Sequence, residues 1–71
     1  MRTLKRSKQW FEREYKYLRN AKSNMIEKTK TSESYITDYL IYDLYFDDKK
    51  SYIGSAVYTL DGTLIANYEL R

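Results

Sequence analysis

The chain has no cysteine, no histidine and no proline, and its only glycines are Gly54 and Gly62. Each absence excludes something. Without cysteine no disulfide braces the fold, and without cysteine and histidine there is no zinc-type ligand set. Catalysis loses its commonest general base and its most nucleophilic side chain. The serines do not sit in a Gly-x-Ser-x-Gly elbow, and no glycine-rich loop is present to cradle phosphate. Asp38 and Asp43 lie an odd number of positions apart, so on one regular strand they face opposite ways and cannot act as a pair. Asp47 and Asp48 sit in a turn-like stretch, where acids are common. The expectation is a non-enzymatic protein with no cofactor and no metal.

Other absences bear on location. No apolar run approaches the roughly 20 residues that cross a bilayer. The start, MRTLKRSKQ, is basic, but the apolar stretch of a secretory signal does not follow it. A cytoplasmic protein with no membrane partner is expected.

What remains is a chain of 71 residues with nine tyrosines. A domain of this size buries only about 60% of its unfolded surface. Unbraced by disulfide or metal, it is expected to lean on a partner or on a second copy of itself. The net charge of +3 conceals a split. Residues 1–30 carry ten bases and three acids, a net +7, and residues 31–71 carry three bases and seven acids, a net −4. Such a split suits a basic arm for polyanions, and equally two halves that attract each other.

The expected fold is α+β, with one long N-terminal helix packed on a three-stranded antiparallel β-meander. Residues 1–71 form a single domain in this reading, with a flexible basic start (1–6), a helix (7–28) and the meander (35–70). Leu4, Phe11, Leu18 and Met25 recur every seventh position, and Tyr15, Ala21 and Ile26 widen that line into an apolar stripe. The polar run Thr29 to Ser34 leads out of the helix. Beyond it the composition turns to Tyr, Ile, Val, Thr and Leu, which favour strands. Three strands are expected, Tyr35–Phe46, Ser51–Leu60 and Thr63–Leu70, with turns at Asp47–Lys50 and at Asp61-Gly62, the latter a strong hairpin signal.

Symmetric turns set Val57 against Ala66, Leu44 against Ile53, Tyr45 against Tyr52 and Tyr39 against Tyr58. One face then holds Leu40, Tyr42, Leu44, Phe46, Ile53, Val57, Leu64, Ala66, Tyr68 and Leu70 and receives the helix. The other gathers Tyr39, Tyr45, Tyr52 and Tyr58 into a square, with Ile41 and Ile65 beside it. A single helix cannot cover both faces, and tyrosine suits interfaces because a rigid ring gives area at low entropy cost. Tyr39, Ile41, Tyr45, Tyr52, Tyr58 and Ile65 are therefore the candidate protein interface.

The second candidate is nucleic acid. Arg2, Lys5, Arg6, Lys8, Arg13, Lys16 and Arg19 offer phosphate contacts, with Trp10 and Tyr17 near enough to stack on a base. Glu12 and Glu14 interrupt that run, and a solvated helix face explains it equally well. The composition resembles that of small accessory proteins of phages and mobile elements. That resemblance implies a protein that binds and inhibits or modulates a host nucleic-acid-processing defence protein. Direct nucleic-acid binding and structural self-assembly, for example as a dimer, stay open beside it.

Overall fold

Ser7 sets the start of the helix. Its hydroxyl accepts a hydrogen bond from the Trp10 amide at 3.3 Å, and its carbonyl accepts one from Phe11, which satisfies donors that the first turn would leave free. In a computed structural model describing residues 3–20 and 23–71, helix α1 runs Lys8–Asn20. Strand β1 (Thr3–Arg6) precedes it. Strands β2 (Asn24–Lys28), β3 (Ser32–Ile36), β4 (Leu40–Phe46), β5 (Tyr52–Thr59) and β6 (Leu64–Leu70) follow. All six strands form one sheet in the order β1-β6-β5-β4-β3-β2. From β2 to β6 the sheet is an antiparallel meander, and β1 lies parallel to β6 at the far edge.

One long helix on three strands is therefore corrected to one short helix on a six-stranded mixed sheet. The physical reason begins with length. Six strands about 4.8 Å apart make a sheet about 24 Å wide, and a 13-residue helix at 1.5 Å per residue reaches about 20 Å. A helix to Lys28 would overhang the surface that buries its stripe. At the end of α1 the Ser23 hydroxyl donates to the Leu18 carbonyl, taking up an acceptor the helix leaves free. Of the seven-residue line only Phe11 and Leu18 lie in the helix, and both are fully buried. Leu4 and Met25 belong to edge strands and are exposed. Ala21, part of the expected stripe, lies outside the described residues. The start expected to be loose supplies β1 at Thr3–Arg6.

The expected strand Tyr35–Phe46 is two strands. Thr37 makes the break: its side-chain oxygen accepts from the Tyr39 and Leu40 amides at 3.2 and 3.0 Å, and its own amide donates to the Leu40 carbonyl. A hydroxyl that bonds backbone two or three residues ahead builds a turn without glycine.

The β4–β5 and β5–β6 hairpins close alike. In each, the first residue exchanges backbone bonds with the residues three and four ahead: Asp47 with Lys50 and Ser51, Thr59 with Gly62 and Thr63. The fourth position needs a left-handed backbone. Gly62 supplies it at φ 93°, and Lys50 adopts it at φ 66° despite its side chain. Gly54 meets a different demand, since a Cβ there would stand 2.7 Å from the Tyr68 carbonyl oxygen of β6.

The core lies between α1 and the sheet. Leu18, Tyr35, Leu44 and Phe46 are buried together, with Tyr15, Tyr42 and Tyr52 packed against them. Aromatic rings fill much of it. Tyr15 stands edge-on to Phe46 and Tyr52 at 6.0 and 5.7 Å, and Phe11 stacks on Tyr52 at 6.0 Å. Among the described residues no helix is long and apolar enough to cross a membrane.

Candidate functional site

The strand pairings place residues in rows across the face that α1 leaves open. One row reads Thr3, Asn67, Ala56, Asp43, Ser34; the next reads Lys5, Glu69, Gly54, Tyr45, Ser32; a third holds Tyr58, Ile41, Ile36 and Asn24. Asp43 is at the centre, mid-strand on one of the two middle strands. Its carboxylate accepts from the Ser34 hydroxyl at 2.6 Å and from the Tyr45 phenol at 3.2 Å. Burial raises the Tyr45 phenol above its usual pKa, and the Asp43 carboxylate and Tyr58 phenol beside it push the same way. Ile36, Ile41, Tyr45 and Tyr58 are half-buried around a floor of buried Ala56 and Gly54, and Ile65 is exposed. This is a largely polar sheet face on which Ile36, Ile41, Tyr45 and Tyr58 gather around the anchored Asp43 carboxylate.

The tyrosine square does not form. Val57 faces Ala66 as expected, but Leu44 faces Ser55 and not Ile53. A bulge between Tyr45 and Phe46 then sets Tyr45 against Gly54 and Phe46 against Tyr52. That extra residue turns Tyr52 under the helix, against Phe11, Tyr15 and Phe46. Tyr39 sits in the Thr37 turn and is 81% exposed. Only Tyr45 and Tyr58 of the square share the open face. Ile53 and Leu64, assigned to the helix side, are exposed, both next to bulges.

The basic candidates scatter. Lys5 lies on the edge of the open face and bridges Glu69 at 2.5 Å. The Arg6 guanidinium lies 5.4 Å from the Trp10 ring and 5.6 Å from the Tyr68 ring. Lys8, Arg13 and Lys16 are exposed along α1, and Arg13 and Lys16 share its outer surface with Tyr17 and Asn20. Arg19 covers the Tyr15 ring at 4.2 Å. Arg2 lies outside the described residues.

A different cationic site does assemble, on the helix side. Tyr15, Arg19, Lys28, Glu33, Phe46, Lys50 and Tyr52 line a groove of about 290 Å³. Glu33 is buried, and its Oε1 accepts from both the Tyr15 phenol at 3.0 Å and the Tyr35 phenol at 2.7 Å. Burial and that shared carboxylate raise both phenols, and burial with the Tyr15 phenol nearby pushes Tyr52 up to about 12. The cations come from α1, β2 and the β4–β5 turn. No local pattern announces such a grouping.

No group of acids among the described residues has the geometry of a metal site. Comparison with protein-family models, curated proteins and solved structures matches none of them to this chain.

Proposed function

We propose that the protein is a non-enzymatic binding protein that docks a partner protein on its open sheet face. The carrying observation is the patch of Ile36, Ile41, Tyr45, Tyr58 and Ile65 around Asp43, on a face the single helix does not cover. A cluster of large apolar side chains rimmed by polar ones marks an interaction surface. Asp43 decides between occupants. A second copy stacked centrally about a twofold axis would bring two Asp43 carboxylates together away from water, which is costly. A different protein that presents an apolar patch and one Lys or Arg satisfies the same carboxylate. The more specific form, an accessory protein occupying a host nucleic-acid-processing protein, rests on chain size and tyrosine content alone.

The test compares affinity capture from a cell extract by wild type, Tyr45→Lys and Lys16→Glu, with sedimentation of each. The reading predicts a partner held by wild type and Lys16→Glu and released by Tyr45→Lys. A complex lost on Lys16→Glu and kept on Tyr45→Lys overturns it. So does a wild-type dimer that Tyr45→Lys splits, because the occupant is then a second copy.

A further inference from the structure

The groove beneath Arg19 lies on the opposite side of the sheet from the proposed docking face, and its chemistry is independent of that face. Its charged lining is Arg19, Lys28, Lys50 and Glu33, three cations against one carboxylate, so the lining carries a net +2. The cations reach it from three elements. Arg19 lies over the Tyr15 ring at 4.2 Å, and a guanidinium stacked by its flat face keeps N–H donors at its edge. Lys50 is steadied at the rim, where its ammonium donates to the Lys30 carbonyl at 2.9 Å and has further protons to give. Lys28 stands opposite Glu33 in the β2–β3 ladder, which puts both side chains on one face of the sheet. The two form no ion pair; among the described residues the ion pair is Lys5–Glu69. An oxyanion with two negative charges balances this lining.

Glu33 decides which oxyanion. The residue is 8% exposed, and its Oε1 accepts from the Tyr15 and Tyr35 phenols, which fixes the carboxylate in place. Its Oε2 accepts no hydrogen bond from the described side chains, so it is the acceptor left to a ligand. An anion without a proton meets that oxygen lone pair to lone pair, which is repulsive. An anion that keeps an O–H turns the same contact into a charge-assisted hydrogen bond. Sulfate and hydrogen phosphate share their tetrahedral shape and their charge, but only hydrogen phosphate keeps a proton. A phosphate ester loses its last proton at about pH 6 and then resembles sulfate. We propose that the groove is a binding site for free hydrogen phosphate, with its oxygens held by Arg19, Lys28 and Lys50 and its O–H donated to Glu33.

The full chain is titrated with inorganic phosphate, sulfate and glycerol phosphate at about pH 7.5, where the ester has lost its last proton. Backbone amide shifts are followed by NMR. The expected result is movement centred on Lys28, Glu33 and Lys50. Phosphate is expected to bind about tenfold or more tightly than the other two, since each of those leaves Oε2 facing an oxygen without a proton. Glu33→Gln keeps an oxygen for the phenols and sets an amide donor in place of Oε2, so it is expected to admit sulfate as readily as phosphate. Lys28→Glu combined with Lys50→Glu, both exposed positions, is expected to weaken phosphate binding about tenfold or more by making two attractive charges repulsive. Lys8→Glu, at the other end of α1, leaves it unchanged. Sulfate or glycerol phosphate binding the wild type as tightly as phosphate overturns the proposal. It is equally overturned by shifts outside the groove, by no shift at all, by charge reversal without effect, or by a folded Glu33→Gln protein that still prefers phosphate. If Glu33→Gln does not fold, the wild-type ranking and the double lysine variant decide the matter.

Discussion

The two faces of the sheet use the same device and finish it differently. On β3, Tyr35 donates to Glu33 two residues before it; on β4, Tyr45 donates to Asp43 two residues before it. A spacing of two keeps each pair on one side of its strand. The Glu33 pair faces α1, which adds the Tyr15 phenol and leaves the residue only 8% exposed. The Asp43 pair faces outward and has only Ser34 to complete it. One face is thus a finished core and the other a half-built one, and this difference directs attention to what covers the open side.

The comparison is broken most severely by removing the helix from its seat. Leu18 is 1% exposed, so Leu18→Ala is expected to cost about 2–5 kcal/mol in a denaturant melt. That is a large part of the whole stability of a small domain. Next comes the contrast between the two carboxylates. Glu33→Ala strands the buried Tyr35 phenol and the half-buried Tyr15 phenol and is expected to cost about 1–3 kcal/mol, whereas Asp43→Ala leaves its partners within reach of water and costs less than about 1 kcal/mol. Equal losses in thermal melts would show that the open face is packed as tightly as the covered one.

The hairpins give a smaller contrast. Lys50 holds the left-handed conformation that Gly62 holds in the matching turn. Lys50→Gly is expected to stabilise by about 1 kcal/mol and Gly62→Ala to destabilise by about the same, read as midpoint shifts in opposite directions.

Alkali acts on both faces. Tyr15, Tyr35, Tyr42, Tyr45 and Tyr52 are all raised above the ordinary tyrosine value of 10.0, mainly by burial. A raised phenol keeps its proton in the folded state after the unfolded chain has lost it. Its contribution to stability is therefore full below pH 10 and falls as pH climbs toward the folded value, about 12 for Tyr52. The thermal midpoint is expected to hold up to about pH 9 and to drop progressively beyond pH 10. Among variants, Tyr52→Phe should shrink that drop.

Parts of this arrangement are legible in the chain. A helix beginning near Ser7, the spacing of Phe11 and Leu18 on one apolar line, and a hairpin at Asp61-Gly62 can all be read from the sequence. The turn itself shifts the register to Tyr58–Leu64, and the expected Val57–Ala66 pairing is recovered only by a bulge between Val57 and Tyr58. The rest depends on non-local terms. Nothing in the apolar period around Asn20 shows that the helix ends there. Met25 and Ile26 extend the apolar period of the helix, so β2 hides inside a helical pattern. Thr37 breaks a strand by a single hydroxyl where no glycine or proline gives warning. A one-residue bulge moved Tyr52 from one face to the other, because strand alternation turns any slip into a change of side. The cationic groove collects Arg19, Lys28 and Lys50 from three separate elements, which only the folded chain brings together.

The most direct test of the open face places a photoreactive phenylalanine at Tyr58, and in a second protein at Tyr17, followed by irradiation in a cell extract. Tyr58 stands on the open sheet face and Tyr17 on the outer surface of α1, more than half exposed. The account predicts a discrete cross-link to a different protein from position 58, abolished by Tyr45→Lys, and none from position 17. A cross-link from position 17 with none from position 58 would contradict it.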